Sequence, residues 1–165
     1  MNIINALAVL GAKYLFVVII GISFVWFLKL SKDRKKEVLV YGTMAVSIMY
    51  ALLKIAALLY YDPRPFVVGH FVPLIPHVPD NGFPSDHTIV SSAAAAVVYP
   101  YNKNLAMVLW ALTLLVGASR VYTGIHHVTD IAASIIIAVF AAFLTYTYAL
   151  PRVMKTKKYK NSWQD

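Results

Sequence analysis

Apolar residues run in long blocks along this chain, and short polar or proline-rich segments cut between them. A membrane-spanning helix needs about 20 mostly apolar residues, and five blocks are candidates. The first runs from about Tyr14 to Leu30. Apolar residues 3–12 either extend it or, because Lys13 interrupts the run, lie along the interface as an amphipathic segment. The second runs from about Val38 to Tyr61 and stops at Asp62-Pro63-Arg64-Pro65, since residues before proline avoid the α region and proline lacks a donor. The segment 62–84 holds six prolines and two glycines and cannot be one helix. It predicts a long re-entrant or surface loop, and loops of that length are usually functional. The third block, Ser85 to Tyr99, covers only about 22 Å at helical rise, against a hydrocarbon core of roughly 30 Å. Its start is expected to lie recessed among its neighbours. Ser91, Ser92 and Ala93 to Ala96 give it a small-residue stretch that lets helices approach closely. The fourth covers about Leu105 to Tyr122, and the fifth about His127 to Leu150, stopped by Pro151. The pattern predicts an all-α, polytopic membrane bundle of about five transmembrane helices, with a candidate N-terminal interfacial segment, in a single domain over residues 1–165.

Composition agrees: 60% of the residues are hydrophobic, where soluble domains stay near 45–50%. With no cysteine there is neither a disulfide framework nor a thiolate metal site. The net charge of +8 raises nucleic acid as a partner, but its distribution argues against that. Lys29, Lys32, Arg34, Lys35 and Lys36 form one cluster, and Arg152, Lys155, Lys157, Lys158 and Lys160 form another. Both follow apolar runs directly. With Lys103, these clusters hold 11 of the 15 Lys and Arg residues, which marks their side as cytoplasmic. The amino terminus is then expected outside and the carboxyl terminus in the cytoplasm. Loops 62–84 and 123–126 face outward. The positive charges follow the first apolar run instead of preceding it, which argues against a cleaved signal peptide.

This topology gathers the chemistry. Arg64, Ser85-Asp86-His87, Arg120, His126 and Asp130 all fall at one end of the predicted bundle. Ionisable groups at membrane depth are costly unless paired, and they mark a functional site by default. Ser85 stands at a helix N-cap position, where orphan N–H groups favour an anion. Arg64 and Arg120 offer planar forks suited to phosphate oxygens. His126 and Asp130, four apart, share a helix face. A carboxylate there can fix one ring nitrogen and leave the other free to attack, and His87 can protonate a leaving oxygen. Blander readings stand beside these. Arg64 can be a snorkelling anchor, Ser85 a plain helix cap, and His126–Asp130 a structural hydrogen bond. Alternatively His126 and Asp130 join His127, His87, His77 and His70 in a metal site, against which stand two repelling arginines and the lack of a third carboxylate or thiol. His127 is read as a neighbour without a role.

These residues resemble the type 2 phosphatidic acid phosphatase superfamily, which includes the vanadium haloperoxidases. Its third signature, Ser-Arg-x5-His-x3-Asp, is intact from Ser119-Arg120 through His126 to Asp130. The second reads Pro84-Ser85-Asp86-His87, with Asp where glycine is usual. The first keeps Arg64-Pro65 but has Ala57 at its lysine position. The resemblance implies that His126 is a nucleophile forming a phosphohistidine and that Asp130 orients it. It implies that His87 is the general acid, that Arg64, Arg120 and Ser85 bind the phosphoryl group, and that neither metal nor other cofactor takes part. Lys54, one turn before Ala57, is a candidate substitute for the missing lysine, and Asp86 a candidate site or turn residue.

Within the superfamily, Pro63-Arg64-Pro65-Phe66, Leu74-Ile75-Pro76-His77 and Phe83 to Thr88 are similar to the bacitracin-resistance type of undecaprenyl-diphosphate phosphatases. That likeness implies a plasma-membrane enzyme with an outward site, whose partners are the bilayer and a polyprenyl diphosphate lipid. A phosphatase of phosphatidic acid or phosphatidylglycerol phosphate is the alternative within the class. A proton-relay or transport protein and a non-enzymatic lipid binder are the alternatives outside it.

Overall fold

The computed structural model of the protein describes residues 2–154. The cationic tail residues Lys155, Lys157, Lys158 and Lys160 lie outside them. Seven helices follow in order: α1 (Ile3–Leu28), α2 (Lys32–Leu59), the single turn α3 (Pro65–Val68), α4 (Asp86–Val98), α5 (Lys103–Tyr122), α6 (Val128–Leu144) and, after a π turn at Thr145–Ala149, α7 (Leu150–Met154). Among the described residues, four runs are long and apolar enough to cross a membrane: α1, α2, α5 and the stretch from Val128 to Met154. The fifth candidate, α4, has 13 residues and spans about 20 Å.

Two boundaries differ from the sequence reading, and the alternative left open for residues 3–12 is decided. Residues 3–12 are one continuous helix with the rest of α1 and pack against α5 rather than forming a separate interfacial segment. Lys13 is exposed and interrupts hydropathy but not helix, because lysine is a good helix former. For the same reason α2 begins at Lys32, six residues before its apolar block. Ser31 caps it by accepting from Arg34 N, and Arg34 pairs with Glu37 at 3.3 Å. Pro151 does not end the last helix. The wider π turn just before it changes the hydrogen-bond register where the proline's missing N–H would otherwise break the ladder.

The short helix α4 is the axis of the bundle, touched by α1, α2, α5 and α6. Its serines and alanines are buried around most of its circumference, as close approach requires. One apolar cluster joins it to α2 and α6 through Tyr41, Met49, Leu53, Ile89 and Ala138. A second joins it to α1 and α5 through Ile19, Ala95, Val98, Leu109 and Val116. Large apolar side chains such as Leu58, Met107 and Ile136 are left exposed on the bundle's outer faces, the arrangement expected where lipid is the solvent.

Candidate active site

Three chain segments converge at the N-terminal ends of α4 and α6. The C-terminal end of α5 brings Arg120, and a turn then reverses the chain. Gly124 makes that turn with φ +80°, a conformation open to glycine, so α5 ends and His126 is aimed back toward Arg120. His126 lies between α5 and α6, and Asp130 in the first turn of α6. Both are buried.

The His126 ring is held at both nitrogens. Its Nδ1 lies 3.1 Å from Asp130 Oδ2. Its Nε2 lies 3.0 Å from Arg120 Nη2 and 3.4 Å from Arg64 Nη1. Guanidinium groups donate and never accept, so Nε2 must be the acceptor and Nδ1 must carry the proton given to Asp130. The contacts thus select the neutral tautomer whose free lone pair faces two cationic forks. Burial pushes the His126 pKa below its ordinary value. The Asp130 hydrogen bond opposes that shift, and the charges of Arg120 and Arg64 reinforce it. Asp130 Oδ2 also accepts from the His127 backbone N–H at 2.8 Å, which fixes the carboxylate to the helix that bears it.

Each arginine has its own mount. Arg64 Nε donates to Asp80 Oδ1 at 2.6 Å, and Nη1 donates to the Ile125 carbonyl at 2.8 Å. Arg120 Nη1 donates to the Ala12 carbonyl of α1 at 3.2 Å. Burial raises the Asp80 carboxyl pKa, but the hydrogen bond and charge of Arg64 outweigh that and hold it below the usual range. Ser85 is fully buried at the N-cap of α4, where its hydroxyl accepts from Thr88 Oγ1 at 3.0 Å. Its carbonyl accepts from Ser134 Oγ of α6 at 3.0 Å, so the starts of α4 and α6 are tied together. His87, half-buried in the first turn of α4, packs edge-on against Phe16 of α1 with ring centroids 4.5 Å apart. Arg120 and His126 are within electrostatic range of its imidazole.

The structure therefore brings Arg64, Ser85, Arg120, His126 and Asp130 into one hydrogen-bonded cluster, with His87 beside it. Two residues stand apart. Lys54 does not reach the cluster: it is exposed on α2, with its ammonium 5.3 Å from the centroid of the Tyr50 ring. One helical turn matches it to Ala57 in register, but its own side chain points to the bundle's outer face. Asp86 is exposed in the first turn of α4 and forms no ion pair among the described residues. A carboxylate there is favoured by the helix dipole and by its electrostatic attraction to Arg120 and His87.

Several residues at the site carry no motif signal. Asp80 and Asn81 read as turn chemistry inside a proline-rich loop. Instead Asp80 mounts Arg64, and Asn81 Nδ2 donates to the orphan carbonyls of Ala57 and Tyr60 at the end of α2. Gly82 lets this loop lie against the cluster, since a Cβ there would stand 3.2 Å from Asp130 Oδ2 and 3.4 Å from Arg64 Cγ. Ala12 and Phe16 come from α1, to which sequence reading assigns no part of the site.

Such an arrangement can receive a tetrahedral anion between the two guanidiniums and the His126 lone pair, at the start of α4. Residues 37–154 match the PAP2 superfamily. Undecaprenyl-diphosphatase BcrC of Bacillus subtilis (strain 168) is 28% identical over 148 residues, which are 90% of this chain and 76% of that protein. A Bacillus licheniformis protein named bacitracin transport permease protein BcrC is 27% identical over 147 residues, 88% of this chain and 71% of its own length. Among solved structures, the crystal structure of Aquifex aeolicus LpxE shares the fold with a TM-score of 0.70 and 21% identity, covering 90% of this chain and 88% of the other.

Proposed function

Because the chain belongs to the PAP2 superfamily and is a membrane phosphatase, we propose that it removes the terminal phosphate of undecaprenyl diphosphate through a phosphohistidine on His126. The observation that carries the chemistry is the His126 ring itself, with Nδ1 on a buried carboxylate and Nε2 facing two guanidiniums.

In this mechanism Arg64 and Arg120 turn from Nε2 to the oxygens of the terminal phosphoryl group and neutralise the charge that grows there. The buried N-cap at Ser85 adds backbone donors. Nε2 attacks phosphorus while the bond to the bridging oxygen breaks. Asp130 stabilises the charged ring through Nδ1, and His87 gives its proton to the departing lipid monophosphate. In the second half a water attacks the phosphohistidine and gives its proton to His87. The P–N bond then breaks, and inorganic phosphate leaves with His126 neutral again. The enzyme's own side chains balance every proton, so no metal is required.

The substrate assignment rests on the undecaprenyl-diphosphatase relatives and on the loop segments from Pro63 to Thr88. An outward-facing site, with the amino terminus outside, follows from the distribution of Lys and Arg. The whole chain acts here as one membrane-embedded domain. A transport role, suggested by the name of one relative, predicts ionisable groups distributed through the membrane depth. Here they are concentrated at one end of the bundle.

The test is phosphate release by the purified protein in detergent with excess chelator. Undecaprenyl diphosphate, phosphatidic acid and phosphatidylglycerol phosphate are compared by kcat/KM. Undecaprenyl diphosphate is expected to lead. A higher value for either glycerolipid would overturn the substrate, and flux in sealed vesicles without phosphate release would overturn the enzyme.

A further inference from the structure

Asp62 lies just beyond the last turn of α2 and matches no motif, and His127 follows the nucleophile with no role assigned by sequence. The structure joins them. Asp62 Oδ2 lies 3.3 Å from His127 Nδ1 and accepts from Thr129 Oγ1 at 3.3 Å. The Asp62 backbone is engaged as well. Its N–H donates to Asn81 Oδ1 at 3.0 Å, and its carbonyl accepts from Gly82 N at 2.9 Å. One residue thereby connects the segment leading to Arg64, the loop that mounts Arg64 through Asp80, and the first turn of α6.

His127 carries the connection inward. Its backbone N–H donates to Asp130 Oδ2, the same oxygen that accepts from His126 Nδ1. The Asp62 and Asp130 carboxylates and the His127 ring offer polar atoms within 4.8 Å of one another. Two carboxylates this close repel unless donors stand between them. His127 stands between them: its backbone N–H donates to Asp130 Oδ2, and its Nδ1 lies 3.3 Å from Asp62 Oδ2 as a close polar contact outside hydrogen-bond geometry. The Asp62 side chain is only 14% exposed, so water does little to replace that contact.

We propose that Asp62 is a positioning residue. Acting through His127, it holds Asp130 Oδ2 at hydrogen-bond distance from the nucleophile and locks that pair to the segment bearing Arg64. The inference rests on the phosphohistidine reading above. If the ring contact is lost, the first turn of α6 is anchored only by its own backbone, and the tautomer and aim of His126 loosen together. Such a change acts on the chemical step rather than on lipid binding, so it belongs to kcat and not to KM.

The experiment is a double-mutant cycle on the full chain in detergent, with undecaprenyl diphosphate as substrate. The variants are Asp62→Asn, His127→Ala, the pair together, and His127→Asn. Each of the first two is expected to lower kcat about tenfold with KM held within about twofold, and the double variant to be no worse than the poorer single one. His127→Asn, whose amide nitrogen stands near the position of Nδ1, is expected to recover much of the lost kcat. Independent effects that multiply in the double variant, or a rise in KM with kcat unchanged, would overturn the positioning role. So would wild-type activity that falls with chelator and returns with zinc, because the three side chains would then be metal ligands. Absence of phosphate release by the wild type would instead sink the phosphatase reading on which this one stands.

Discussion

The two ends of this bundle are built from the same helices and solve opposite problems. At the site end, Arg64, Arg120, His126 and Asp130 are buried, and each is held by a named donor or acceptor. At the far end, Tyr41, Ala96, Trp110, Ala142, Phe143 and Tyr146 surround an apolar cavity of about 250 Å³. There the rings of Tyr41 and Tyr146 meet edge-on at 5.5 Å, and the Tyr41 hydroxyl donates to the Ala142 carbonyl at 3.3 Å. Buried charge calls for partners, since an unmatched group loses its full hydration, and here all but Arg120 Nε and Asp130 Oδ1 of the buried cluster atoms have one. Apolar contact is divisible and tolerates a gap. The same four long helices therefore carry a rigid polar cluster at one end and looser packing at the other.

The contrast sharpens most at the proposed nucleophile. His126→Ala is expected to reduce phosphate release by roughly four orders of magnitude, to background. Single-turnover assays with radiolabelled substrate should also lose the acid-labile phosphoenzyme. Retained turnover would move the chemistry away from this end altogether. Next come the forks: Arg64→Lys or Arg120→Lys should lower kcat by about 10²–10³, because an ammonium cannot reproduce two parallel donors to a phosphoryl group. A smaller effect is expected from Asp80→Asn, roughly tenfold or less, because its carboxylate is half-exposed and water screens the pair.

A pH profile tests the electrostatics. In the proposed mechanism only the neutral His126 ring attacks, and its pKa is depressed by burial and by two arginines. The acid limb of kcat/KM should therefore lie below the ordinary imidazole range, with activity present above it and lost as pH falls through it. Asp130→Asn removes a group that raises that pKa, so whatever residual activity survives should have its acid limb displaced further down.

The least sensitive position should be at the other end. Ala142→Leu, which projects into the cavity, is expected to leave kcat/KM within about twofold, as distant sites act independently. A tenfold change there would break the contrast, because it would show the cavity taking part in turnover.

Much of the site end was legible because its chemistry is dense and local. The spacing from Arg120 to His126 to Asp130 put His126 and Asp130 on one helix face, whereas His126 lies in the turn before the N-cap of α6 and Asp130 reaches back to it from the first turn. Alternating span direction predicted that Arg64 and Ser85 would meet them. Helix limits were less legible. Hydropathy measures affinity for lipid, not for helix, so it stopped short of Lys32 and was halted by Pro151, which a π turn accommodates. Least legible were the supports. Asp80 and Asn81 act by where the loop places them, and no periodicity reports that. Lys54 illustrates the converse error, since a one-turn register with Ala57 was correct along the helix axis but not around it.

The helix α1 has a consequence for how this protein can be divided. It precedes residue 37, where the family match begins, yet Ala12 receives Arg120 and Phe16 backs the His87 ring. The residues matched by the family are therefore expected to depend on α1 for full activity. A chain cut at the family boundary is expected to assemble its remaining helices and turn over poorly, and a separate peptide of residues 1–30 inserted into the same bilayer should restore it. α1 would then be a detachable subunit in covalent disguise, and a way to tune the enzyme from outside its own motifs.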